Sequence, residues 1–130
     1  MRRAAIGLMV LATAITGATG AKAGPRKAAV FDFQFSKGTP TEPSREERDR
    51  LIRLSDQLRA LLKDSGRYEV VSTDPVRDDV ARGADLRSCN GCAEEYAKKL
   101  GADAAITGEV QKVSNLILNI NVYVKDLRSD

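Results

Sequence analysis

The sequence predicts one α/β domain in two layers, ordered β-α-β-α-α-β-β, with a mixed sheet and the helices on one face. Three observations carry this prediction. A capped amphipathic helix at residues 44–65 lies between two strand-like runs, which makes a β-α-β unit. A second short helix and a C-x-x-C loop lead into a third helix. The chain then closes on two adjoining strands whose alternation reads as a ribbon. At 130 residues the chain has room for a single core and little more. Residues 24–130 are expected to form it.

The first 23 residues read as an export signal. Arg2 and Arg3 form a positive start, residues 4–15 are apolar, and Ala21-Lys22-Ala23 has the small-x-small pattern of a cleavage site. A membrane-spanning helix needs roughly 20 apolar residues, and this run is shorter and broken by Thr16, Gly17, Thr19 and Gly20. Cleavage after Ala23 is therefore expected, leaving a soluble periplasmic protein that does not span the membrane. The leader also explains the net charge of +3. Three of the 21 basic residues, Arg2, Arg3 and Lys22, fall within it, so 18 remain against 18 acidic residues. A neutral chain has no electrostatic footprint for nucleic acid.

Residues 27–35, KAAVFDFQF, are apolar on both parities and suit a strand buried on both faces. Asp32 within it must face solvent at a strand end or find a partner, because burying it alone is costly. Its functional alternative is an acid that orients a ligand. The polar stretch 36–43, SKGTPTEP, is a loop. Ser44 and Glu47 then form an S-x-x-E capping box. Leu51, Leu54, Ser55, Leu58, Leu61 and Leu62 share one helical face, and the surrounding arginines are offset by Glu46, Glu47, Asp49 and Asp56. Gly66 supplies the stop. Residues 67–73 form the second strand, after which Asp74-Pro75 opens a short helix with Pro75 at its first position.

Cys89-Asn90-Gly91-Cys92 is a C-x-x-C in an exported chain, where oxidation is the default. Asn-Gly suits the tight turn that such a ring requires. Against the structural disulfide stand three functional readings. Zinc needs about four ligands, and the chain has no histidine and no other cysteine. Covalent haem needs histidine where Ala93 stands. A thiol-redox site stays open, since the helix that begins near Ala93 would place its positive end beside Cys92. No metal or cofactor is expected.

In that helix Ala93, Tyr96, Ala97 and Leu100 form the inner face, and Gly101 ends it. Residues 104–113 and 116–125 follow as strands, with a turn near Ser114 and Asn115. Leu116, Leu118, Ile120, Val122 and Val124 are expected to point toward the helices, as are Ile106, Gly108 and Val110. On the other face Gln111, Asn119, Asn121, Tyr123 and Lys125 line up. Two asparagines in one strand are unusual. Amides in a row with an aromatic anchor form a candidate binding surface, and the alternative is a solvated outer face.

The run CNGCAEEYAKKLGADAAITGEVQKVSNLILNINVYVKD, together with AVFDFQF and LSDQLRALLKDSGRYEVV, resembles the exported bacterial domain-of-unknown-function families numbered 3280 and 2380. The resemblance spans nearly all of residues 24–130. It implies a layout similar to the amino-terminal domain of TolB-type periplasmic proteins and to the periplasmic domain of the curli-secretion lipoprotein, which act through protein contacts. It also implies an accessory role beside periplasmic quinoprotein alcohol-oxidation systems. In the family pattern a turn, a strand and a basic closing helix follow KD, whereas this sequence ends at Leu127-Arg128-Ser129-Asp130. The expectation is a truncated chain or an uncovered sheet edge, with marginal stability or self-association as its consequence.

The expected function is a non-catalytic periplasmic interaction or accessory module whose partner is an envelope protein. The alternative is a small thiol-disulfide oxidoreductase using Cys89 and Cys92. A hydrolase has no support: the usual histidine base is missing, and no Gly-x-Ser-x-Gly elbow appears.

Overall fold

The computed structural model describes residues 24–39 and 41–129. The export-signal reading of residues 1–23 lies outside them. The elements are β1 (Arg26–Val30), β2 (Gln34–Phe35), α1 (Arg45–Asp64), β3 (Tyr68–Val71), a single 3-10 turn (Asp74–Val76) running into α2 (Arg77–Arg82), α3 (Cys92–Lys99), β4 (Ala104–Lys112) and β5 (Leu118–Asp126). This is the predicted α/β order and a mixed sheet. β1 pairs parallel with both β3 and β4, and β5 runs antiparallel along the whole of β4.

The strand expected over 27–35 is split. β1 pairs with residues 104–106 and β2 with Glu109 and Val110, along the same side of β4. Asp32 stands in the gap, where it is half-buried, and its Oδ1 accepts from Arg59 Nη2 at 2.7 Å. Arg59 Nε and Nη2 also donate to the Val30 carbonyl, at 3.1 and 2.7 Å. The carboxylate thus helps α1 hold the end of β1.

The capping box forms as predicted. Glu47 N–H donates to Ser44 Oγ at 3.1 Å, and Ser44 N–H to Glu47 Oε2 at 2.9 Å. Ser55, fully buried, is one of the points where α1 meets the sheet side of the chain. Its Oγ accepts from Phe33 N–H at 2.8 Å and donates to the Leu51 carbonyl at 2.6 Å, so both of its bonding capacities are met. Leu61, expected inward, is exposed. It lies to one side of the stripe running through Leu51, Leu54, Leu58 and Leu62.

The helices occupy both faces of the sheet, which corrects the one-face expectation. Leu58 and Leu62 of α1 pack with Ala28, Val30, Ile106, Tyr68 and Val70. The opposite parity, Ala29, Phe31 and Ala105, packs with Val76, Leu86, Ala93 and Ala97 from the α2–α3 side. The physical reason lies in β1, whose apolar side chains on both parities need cover above and below.

A second correction concerns β5. Its apolar face shares a side with α1, through the pairs Ile106–Val124, Gly108–Val122 and Val110–Ile120, but α1 covers β1 and β3 instead. Leu118, Ile120, Val122 and Val124 remain 57, 54, 46 and 57 % exposed. Phe33 bridges the interval, lying so close over Gly108 that an added Cβ would come within 2.1 Å of its ring. Glycine weakens a strand interior, and here the position admits nothing larger.

Candidate functional site

The candidate residues gather on β5 and on the loop that faces it. Asn90 (φ 53°) and Gly91 (φ 104°) both take left-handed backbone, the conformation expected of an Asn-Gly turn. That turn brings Cys89 and Cys92 together, their sulfurs at disulfide distance and their Cα atoms 5.7 Å apart. Both cysteines are half-buried. Cys92 is the first residue of α3, and Gly91 before it provides no side-chain cap.

The same loop carries Arg87 onto β5. Its guanidinium carbon stands 3.4 Å from the centre of the Tyr123 ring, a stacked cation–π contact. Between loop and strand opens a cleft of about 340 Å³, lined by Arg87, Asn90, Glu94, Thr107, Tyr123 and Lys125 among others. Two candidate groups therefore meet. The cysteine loop and the Tyr123–Lys125 end of the polar face border one cleft, while Gln111, Asn119 and Asn121 continue the face outward along the ribbon. Asn119 Nδ2 donates to Gln111 Oε1 at 3.4 Å, and all three amide side chains are exposed.

On the opposite side of β5 lies a narrower groove of about 120 Å³, bordered by Phe35, Leu51, Leu54, Val110, Leu118 and Ile120. Glu47 also lines it, and Glu47 Oε1 pairs with Lys112 Nζ at 2.8 Å. This bond, with the Ser44 N–H, lowers the Glu47 carboxyl from its ordinary 4.5 to about 2. Asp126, at the other end of β5, is also lowered, first by the Arg128 N–H and then by Arg26.

Arg87, Thr107 and the Leu51–Leu54 groove were missed in the sequence. Arg87 and Tyr123 are far apart in the chain, and neither belongs to a motif that would pair them. Among the described residues no three His, Cys, Asp or Glu side chains cluster as metal ligands would, and no helix is long and apolar enough to cross a membrane.

A small α/β domain with one half-covered sheet and a polar cleft beside a disulfide loop is the class these features define. The chain belongs to the family DUF3280, described as "Protein of unknown function (DUF2380)", whose model matches residues 26–130. No curated protein and no solved structure matches it, and the distant likeness to the TolB amino-terminal domain gains no support from these comparisons.

Proposed function

We propose that this chain is a non-catalytic interaction module of the periplasm, accessory to an envelope assembly, which receives a protein partner along β5. One observation carries the reading. β5 is nine residues long, hydrogen-bonds through one edge only among the described residues, and is exposed on both faces, apolar on one and amide-rich on the other. Such an edge is a template for strand addition, in which main-chain bonds give affinity and alternate side chains give specificity.

The test is an envelope pull-down with tagged wild type, Val122→Asp, Cys89→Ser and Cys92→Ser, run with and without reductant. The wild type and both serine variants are expected to hold the same partner non-covalently, and Val122→Asp to lose it at least about tenfold. Full retention by Val122→Asp would remove β5 from the account.

A second reading, a small thiol-disulfide oxidoreductase, draws on the position of Cys92 at the uncapped start of α3, since a helix N-terminus favours a thiolate. If one serine variant alone trapped reducible mixed disulfides in the pull-down, this reading would replace the first.

A further inference from the structure

We propose that the cleft between the cysteine loop and the β4–β5 ribbon binds a small organic monocarboxylate. This goes beyond the interaction reading and does not depend on it, because the ligand contacts lie on the α3 face and not along the outer edge of β5.

Four features line this one cleft. The first turn of α3 opens into the cleft through Gly91, Ala93 and Glu94, and α3 has no side-chain cap, so its leading N–H donors are free for an anion. Thr107 is only 6 % exposed, lines the same cleft, and its hydroxyl has no hydrogen-bond partner among the described residues. The oxygen itself is not sealed from solvent, so it is open to a ligand in the cleft. Arg87 spends the face of its guanidinium on Tyr123, which leaves its in-plane N–H donors available for a carboxylate. Lys125 adds a second cation, and neither Arg87 nor Lys125 has a carboxylate within ion-pair distance among the described residues.

Charge and shape narrow the ligand class. Glu94 also borders the cleft, so its net side-chain charge is a single positive one, which suits a monoanion and disfavours a phosphate dianion. Leu86, Ala93 and Ala105, all buried, form the apolar part of the wall, against which a hydrocarbon body would lie. A volume of about 340 Å³ falls at the small end of ligand pockets, which run from roughly 300 to 1,000 Å³.

The experiment is an amide NMR titration of the chain as purified from the periplasm with its disulfide intact, using benzoate as the probe. Benzyl alcohol, with the same body and no charge, and inorganic phosphate are the comparison arms, all at constant ionic strength. Benzoate is expected to give saturable shifts centred on Gly91, Ala93, Glu94 and Thr107, with affinity in the millimolar range. Arg87→Gln and Lys125→Gln, both at exposed positions and checked by unchanged amides elsewhere, should each weaken it roughly tenfold. Benzyl alcohol should give no saturable shift. The proposal fails if benzoate shifts do not saturate, if they persist unchanged in both variants, or if phosphate binds as tightly as benzoate.

Discussion

β1 and β5 lie on either side of β4 and are of similar apolar character, yet their fates are opposite. Ala28, Ala29 and Val30 of β1 are completely buried, whereas every apolar residue of β5 from Leu118 to Val124 stays about half exposed. The sequence pattern determines which side chains share a face. Whether another element covers that face depends on where the helices land. α1 lands mainly on the β1–β3 half and borders the apolar face of β5 with Leu51 and Leu54 across a groove, which leaves that face about half exposed.

The comparison is broken most forcefully by placing the same charge in both strands. Val30→Asp would bury a carboxylate with no partner and should cost more than about 4 kcal/mol, enough to unfold a small domain. Val122→Asp should change stability by no more than about 0.5 kcal/mol. Urea denaturation of the two variants decides it, and a large loss from Val122→Asp would mean that the face is covered.

Gly108 tests the bridge between the halves. Gly108→Ala drives a methyl group into the Phe33 ring and should destabilise by about 1–3 kcal/mol. Trimming the ring with Phe33→Leu should recover part of that loss, so a double-mutant cycle is expected to show coupling between the positions. Simple additivity would contradict the contact.

The disulfide bears on the α3 side alone. Replacing both Cys89 and Cys92 with serine should cost about 2 kcal/mol through the closed loop's entropy, with partner capture through β5 unchanged. Thermal unfolding with and without reductant measures the first, and the pull-down the second.

Acid sensitivity gives the smallest effect. Glu47 is lowered from 4.5 to about 2 by Lys112 and the Ser44 N–H. A depressed carboxyl contributes stability that is complete above its unfolded value and disappears as pH falls through the folded one. Stability should therefore decline from about pH 4.5 toward pH 2, and Glu47→Gln should flatten that decline. An identical acid limb in the variant would show that the Lys112 bond does not form in solution.

Much of this fold was legible from local chemistry. Ser44 and Glu47 located the start of α1 within a residue, Gly66 and Gly101 marked helix ends, and the β5 alternation gave the correct face partners. The two-sided burial of β1 was also readable, and followed through it requires helices on both faces. What stayed hidden was non-local. The break at Asp32 depends on Arg59 reaching across from α1, and the cleft depends on Arg87 meeting Tyr123. The apolar periodicity of β5 promised a covered face because periodicity records a side chain's direction and not its neighbour.

The most direct test is site-specific photo-crosslinking in cells, with the photoreactive residue placed at Ile120 on β5 or at Glu69 on β3, the opposite edge of the sheet. The account predicts a discrete protein adduct from Ile120 and none from Glu69. Adducts from Glu69 alone, or equally from both positions, would contradict β5 as the partner-receiving surface.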